Sequence, residues 1–336
     1  MDKYILLDHG SGGLASQNLI GSLFLKYLKN PVLNQLEDAA VLPPEQGQLA
    51  FSTDSYVVDP VFFPGGNIGE LAVNGTINDL AMRGARPICL SLGLILEEGL
   101  AVEELEEIIK SIANACDYAG VPVVTGDTKV VPKGKADKIF INTSGIGIVE
   151  RDINVTAGQA RSGDIILLSG TLADHGITIL TSRAGLQVDG NLKSDTRPLH
   201  FLVKKIMTEA PGAVHTMRDP TRGGLGTTLS EIAKSTNLCM EIDERAIPMH
   251  GQVRAACELM GLDPLYLANE GKCLVIAAPE EAEATLAAMC SVIEGADSCI
   301  IGKVTKKYPG RVVLTTTSGG HRLIEPLSGE PLPRIC

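Results

Sequence analysis

Four aspartates in the first half of the chain sit where a solvated charge has no need to be. Asp38 lies in LEDAAVL, Asp54 in FSTDSYV, Asp79 in TINDLAM and Asp127 in VVTGDTKVV, each flanked by apolar or small residues. An isolated carboxylate in such surroundings is costly, so each must be capped, paired or bound to a cation. Taken singly, each reads equally well as a helix cap or a charge at a strand end. Taken together they are hard oxygen ligands, a set suited to Mg2+, which takes a few carboxylates, keeps several waters and binds substrate phosphates. The chemistry they point to is that of a nucleotide.

The common nucleotide motifs are absent. No G-x-x-x-x-G-K-[ST] occurs, which excludes a P-loop. HGSGG, with Gly12 and Gly13, could turn backbone N–H groups toward a phosphate, although it follows no clear strand and reads equally as an ordinary turn. In RDPTRGGLGTTLSEIA, Asp219, Thr221, Gly223 and Gly224 precede a predicted helix, where an anion or a simple cap would serve. Lys129 follows Asp127 by two, so in an extended segment both side chains share a face. Glu270, in LANEGKCLV, falls in a loop or at a strand edge. Solvation is the common fate of Lys and Glu, and spacing alone does not separate these two from it.

No two of the eight cysteines form a C-x-x-C pair, which argues against zinc ribbons and cluster-binding loops. Those in PICLSLGLIL and GKCLVIAAP read as small buried hydrophobes. Cys336 is different: it ends the chain in EPLSGEPLPRIC, outside any apolar periodic segment.

The elements that must position these residues are legible in the hydrophobic pattern. With 336 residues, 44% of them hydrophobic, the chain has apolar material for two cores. QLAFSTD, ICLSLGLIL, VPVVTGD and KIFINTSGIGIV read as strands. Between them Val102, Leu105, Ile108, Ile109, Ile112 and Cys116 recur at three and four, predicting an amphipathic helix over 102–119. After ERDINVTAGQARSGD the alternation restarts, with helices expected near 174–184, 198–209, 222–236, 249–261 and 280–293. Strands are expected in DIILLSG and KCLVIAAP and near 299–305 and 311–315. The expected division is 1–155, 156–326 and a tail over 327–336. Pro326, Pro331 and Pro333 favour extended backbone in that tail, which could reach ~30 Å at about 3.1 Å per residue.

A net charge of −11 is the wrong sign for a general nucleic-acid or anionic-membrane surface. The opening MDKYILLDHG lacks a signal peptide's basic start and long apolar stretch, and no apolar run approaches the ~18 residues of a membrane span. A cytoplasmic protein is expected.

HGSGG, FSTDSYVVDPVFFPGGNIG, NGTINDLAMRGARP, GDTKVV, RDPTRGG, ANEGK and the terminal PRIC together resemble the hydrogenase-maturation members of the aminoimidazole ribonucleotide synthetase superfamily, over essentially the whole chain. Glu37 beside Asp38 departs from the two aspartates common in that superfamily. The resemblance implies an α/β (α+β) fold of two domains, the first pairing into a homodimer whose strands form a β-barrel, with ATP bound near that interface. It implies Asp38, Asp54, Asp79 and Asp127 as Mg2+ and ATP ligands, assisted by Gly12 and Gly13. It implies that Cys336 is a carrier thiol, carbamoylated with the carbamoyltransferase HypF, dehydrated to a thiocyanate at the expense of ATP, and unloaded as cyanide onto an iron scaffold of HypC and HypD. Lys129 and Glu270 then stand beside the tail as catalytic candidates. Two other readings remain open: a selenophosphate synthetase-like or thiamine phosphate kinase-like enzyme of the superfamily, and a non-catalytic scaffold offering Cys336 to iron. The former kind of synthetase is expected to carry a reactive cysteine near its N-terminus, where this chain has none.

Overall fold

The structure is a computed structural model that describes residues 3–37, 39–186, 192–327 and 334–336. Asp38 lies outside the described residues. The four apolar runs of the first half form one sheet: β1 (Gln48–Tyr56), β2 (Arg86–Glu97), β3 (Val123–Val131) and β4 (Ile139–Val149), in the spatial order β1-β4-β2-β3. β2 and β3 run parallel and the other pairs antiparallel. β1 and β3 are therefore the two edges.

Two helices cover one face of this sheet, α1 (Ile68–Met82) and α2 (Val102–Ala119). α2 is the amphipathic helix of the sequence pattern, and its six predicted apolar positions are all buried. Glu103 and Glu104 in its first turn complement the helix dipole, and Gly120 ends it in the left-handed conformation that glycine adopts without strain. α1 is buried nearly all round, between sheet, α2 and the second domain. Gly75 is required there, because a Cβ would lie 2.2 Å from the Tyr56 hydroxyl. Leu49 and Phe51 on β1 remain exposed.

The second half builds a seven-stranded mixed sheet from β5 (Ile165–Leu168), β6 (Val214–Arg218), β7 (Cys239–Asp243), β8 (Leu274–Ala277), β9 (Cys299–Thr305), β10 (Val312–Thr315) and β11 (His321–Ile324). Their order is β11-β10-β7-β9-β5-β8-β6. The helices α3 (Asp174–Arg183), α4 (His200–Glu209), α5 (Gly224–Thr236), α6 (Gly251–Met260) and α7 (Ala282–Cys290) match the expected ones, with ends shifted by up to three residues. β6, β7 and β11 were not expected, nor was the helical stretch over 14–28, which includes a π-turn at Ile20–Phe24. The sheet is buried on both faces: Ile166 and Leu168 of β5 enter one core with Leu225 and Leu229, while Leu167 enters another with Leu202 and Ile206. That second core also takes Ala81 and Met82 of α1, so the domains share it.

Hydrogen bonds fix the joint as well. Asn78 of α1 is buried, its Nδ2 donating to the carbonyls of Arg197 (3.1 Å) and Glu270 (3.2 Å) and its Oδ1 accepting from Leu199 N–H (2.7 Å). Among the described residues no helix is long and apolar enough to cross a membrane. Replacing Asn78 with Ala strands three buried backbone groups, each worth ~1–3 kcal/mol when unsatisfied, though relaxation recovers part. Asn78→Ala is expected to lower stability by about 3 kcal/mol in urea denaturation; a loss under about 1 kcal/mol rejects this role.

Candidate functional site

Near the end of β1, carboxylates from four places lie close enough to raise one another's pKa. Asp54 accepts from the buried Tyr56 hydroxyl at 3.1 Å and lies 3.8 Å from the Arg222 guanidinium. Asp79, one residue beyond Asn78 on α1, accepts from Ser52 Oγ at 2.6 Å. Burial and the field of Asp54 push the Asp79 carboxyl up, against the Ser52 hydrogen bond and Arg218 and Arg222. Asp219, from the RDPTRGG loop, is pushed up to about 7 by burial and by Asp79. Glu270 is raised well above the usual carboxylate range by burial and by the charges of Asp195, Asp219, Asp54 and Asp79. Its Oε1 is buried without a hydrogen-bond partner.

Such mutual repulsion is what a bound cation would relieve. Among the described residues, however, no three His, Cys, Asp or Glu side chains converge as a cage. The donor set fits Mg2+ carried in on phosphates, which needs only one or two carboxylates from the protein.

Of the expected aspartates that the structure describes, Asp127 stands apart from Asp54 and Asp79 within one chain. Asp127 and Lys129 do share a face, as an ion pair of 3.0 Å, but on the edge strand β3. The register sets Tyr56 beside Ile141, Ile141 beside Leu94 and Leu94 beside Thr128. Thr128 thus lies level with Tyr56 but three inter-strand spacings away, roughly 14 Å along the sheet. Lys129 is consequently not beside Glu270 or the chain terminus in the protomer. The structure groups it instead with the glycine segment: His9, Gly10, Gly12, Asp127 and Lys129 line one cavity of about 310 Å3. Gly10 packs so closely on β3 that a Cβ would meet Val130 N at 2.4 Å. Gly13 immediately precedes the helical stretch over 14–28, as its N-cap.

The last three residues are also placed differently from an unpacked arm. Ile335 is buried in the first domain's core, and Cys336 packs against that core. The Cys336 backbone oxygen accepts from Val57 N–H at 3.1 Å, just beyond β1, and Arg334 Nε donates to Val57 O at 3.0 Å. Arg183 of α3 donates from Nη2 to Arg334 O (2.6 Å) and from Nε to Asp59 O (2.8 Å). Arg334 pairs with Asp137 at 2.5 Å. His175 Nε2 lies 2.9 Å from Ile335 O, a pure acceptor, so Nε2 carries the proton. Burial holds this imidazole neutral against the field of Asp195, leaving Nδ1 to accept from Ser194 Oγ at 2.7 Å.

Asp195 organises the adjoining loop. Its carboxylate accepts from Glu270 N–H (3.1 Å), Gly271 N–H (3.3 Å) and Lys272 Nζ (3.0 Å). Burial opposes its charge, but Lys272 and the Glu270 amide hold its pKa below the ordinary value. Gly271 admits no side chain, since a Cβ would lie 1.8 Å from Asp195 O. Sequence reasoning missed Asp195, Lys272, His175, Arg183 and the two arginines of RDPTRGG. Only the last had a local signal, their place around Asp219 in a glycine loop.

Comparison with known proteins agrees with this geometry. Residues 36–149 match the AIR synthase related protein N-terminal domain and 161–315 the corresponding C-terminal domain. The chain is 50% identical over 328 residues to carbamoyl dehydratase HypE of Azotobacter vinelandii, covering 98% of this chain and 96% of that protein. The crystal structure of hydrogenase maturation protein HypE in complex with ATP superposes with a TM-score of 0.94 at 50% identity, covering 98% of this chain and 99% of that one. HypE from a HypE–HypF complex superposes at 0.81, with 45% identity and coverage of 92% and 99%.

Two measurements check this site. Asp219, raised to about 7 when folded, keeps its proton while the unfolded chain releases one, so its contribution falls as pH rises from about 4 to 7. Asp219→Asn is expected to flatten the decline of stability over that window in denaturation curves; an unchanged slope removes Asp219 from the cluster. Arg183→Ala is expected to raise the alkylation rate of Cys336 by iodoacetamide on the order of tenfold, equivalent to about 1.4 kcal/mol of lost docking. An unchanged rate means that Arg183 does not hold the terminus.

Proposed function

We propose, from the premise that the chain belongs to the carbamoyl dehydratase HypE family of AIR synthase related proteins, that it dehydrates a carbamoyl group carried on its own terminal thiol. The observation that carries this reading is the seating of Cys336 at the end of β1, the strand that also bears Asp54 of the acidic group. A terminal cysteine without a task would have no need of polar contacts from Val57, Asp59, Asp137, His175 and Arg183 to its last three residues.

The reaction converts Cys–S–C(=O)–NH2 to Cys–S–C≡N. Hydroxide is a poor leaving group, so the amide oxygen is phosphorylated first: it attacks the γ-phosphorus of ATP, the bond to the β-phosphate oxygen breaks and ADP departs. The resulting imidate phosphate gives up both N–H protons in all, the C–O bond breaks, and inorganic phosphate leaves with the oxygen. Asp54 and Asp79 would hold Mg2+ on the nucleotide, whose contribution is to neutralise phosphate charge. Glu270 serves as the proton acceptor. Its buried Oε1 has no competing partner among the described residues, and a cation on the neighbouring carboxylates would lower its raised pKa and so leave it ionised to accept a proton. Asp195 and Lys272 fix the backbone from which Glu270 projects.

The two separated groups have a use in a homodimer. If two first-domain sheets close edge to edge, β3 of one copy brings Asp127 and Lys129 toward β1 of the other, and exposed Leu49 and Phe51 enter the barrel region. Lys129 then polarises the carbamoyl oxygen across the interface. Loading and unloading of the thiol require partners, HypF for the carbamoyl group and the HypC–HypD scaffold for cyanide, and the cytoplasm is the expected setting. A superfamily kinase is the less favoured reading, since it gives the docked terminus no role.

Incubation with HypF, carbamoyl phosphate and ATP, followed by peptide mass mapping, tests the assignment. Cys336→Ala is expected to fold and bind ATP but carry no adduct, while Glu270→Gln is expected to accumulate the carbamoyl form with its conversion to thiocyanate slowed at least a hundredfold, on the scale typical of general base loss. An adduct on another cysteine overturns the carrier assignment, and normal conversion by Glu270→Gln overturns the base assignment.

A further inference from the structure

The cavity of about 600 Å3 between α1, α2 and the second domain lies apart from every residue used above in the reaction. Its walls are the polar faces of the two helices, closed by the segment around Thr196 and by the turn at Ile293–Gly295.

Two asparagines one turn apart on α1 make the informative contrast. Asn78 has its three hydrogen bonds across the domain joint and is saturated as a buried amide should be. Asn74 is equally buried, 2% exposed, and lines the cavity. Its Nδ2 donates to Thr196 Oγ1 at 3.2 Å, but its Oδ1 is buried with no donor. One turn earlier, Glu70 faces the same cavity, and among the described residues its carboxylate has neither a hydrogen bond nor an ion pair. It is wedged against Gly66, where a Cβ would lie 3.0 Å from Oε2. Positions i and i+4 place these two acceptors as neighbours on the helix surface, about 5–6 Å apart at Cβ.

We infer that this cavity is a binding site for a guanidinium group, with Glu70 and Asn74 as its acceptors. The missing partner must donate N–H or O–H in two directions and carry positive charge. A water can donate twice but leaves the carboxylate uncompensated, in a place where burial already raises the Glu70 pKa to about 7. A metal ion is a poor fit, since no three ligating side chains converge among the described residues. A guanidinium has a planar fork of donors and is weakly hydrated, so it suits a half-buried carboxylate beside an amide oxygen. The chain's own Arg197 lines the cavity but is directed to Ile293 O at 3.5 Å. Tyr118 and Ile293, both exposed at the rim, offer flat surfaces against which the ligand's stem can pack. The group can arrive on a free small guanidine or on an arginine side chain of a bound protein.

Titration calorimetry on the full-length protein decides it, without ATP or carbamoyl donor, so the result is independent of the proposed reaction. The probes are agmatine, N-acetyl-arginine N-methylamide, and choline, a cation lacking N–H donors. Saturable binding of agmatine alone, with choline inert, identifies a free guanidine as ligand; binding of the arginine amide alone identifies a side chain; binding of both supports the site with either source. Glu70→Gln, nearly isosteric, should weaken binding at least tenfold. Ser111→Trp on the polar wall of α2 should block the cavity without touching the core, which serves if Glu70→Gln fails to fold. Absence of saturable binding by both guanidinium probes, equal binding of choline, or binding unchanged by these substitutions overturns the inference.

Discussion

A helix buried nearly all round must find partners for most of its polar residues, and α1 carries five: Glu70, which faces the cavity beside α2, and Asn74, Thr76, Asn78 and Asp79, which bond within the protein. Most of the architecture can be understood as the answer to that constraint. Thr76 meets Thr143 of β4 at 2.6 Å, and Asp79 meets Ser52 of β1, so two of the five tie the helix to its own sheet. Asn74 and Asn78 reach across to the segment 196–199 and to the Glu270 carbonyl, tying it to the other domain. One helix therefore positions the candidate ligand Asp79 on one side and the loop of the candidate base on the other, and the spacing between them is set by a helix packed on nearly every face.

The same accounting explains why some of this was legible in the sequence and the rest was not. Period-3.6 and period-2 patterns report burial on one face, and they located α2 and the four strands of the first sheet. They fail at β6 and β7, whose short runs VHTMR and CMEID mix polar and charged residues into buried strands, whereas the unbroken apolar runs of β5 and β8 in the same sheet were legible. Aspartates in apolar surroundings flagged Asp54 and Asp79 correctly as carboxylates with buried neighbours. The same rule grouped Asp127 with them because local sequence is blind to which edge of a sheet a strand takes. Asp195, His175 and Arg183 were invisible for a related reason: their partners lie tens to hundreds of residues away, and nothing beside them in the chain announces it.

The terminus shows how weakly a proline-rich composition constrains its last residues. Proline restricts its own backbone angle but says nothing about whether the end of a chain finds a seat. Here the seat is built from main-chain groups just beyond β1, two basic side chains and a neutral imidazole, while the one apolar residue, Ile335, supplies burial. Contacts made mainly to backbone carbonyls specify a path for the chain more than an identity for its side chains. The thiol is thus left as the chemically distinct group at the end of a well-defined track.

A seated thiol that, on the proposed reading, is also loaded elsewhere cannot be held too tightly. The interactions at the terminus are of the kind that meets this demand. A neutral histidine and an arginine on backbone oxygens each contribute a modest net amount, because leaving the seat exchanges them for water at little loss. Buried ion pairs behave oppositely, since separating them strands a charge. The structure keeps a buried pair, Lys272 with Asp195, one layer behind, where it holds the Glu270 loop. The division is physically coherent: the loop of Glu270 rests on buried charge that cannot be exposed cheaply, and the terminus rests on hydrogen bonds and a partly exposed ion pair, Arg334 with Asp137, that water can replace.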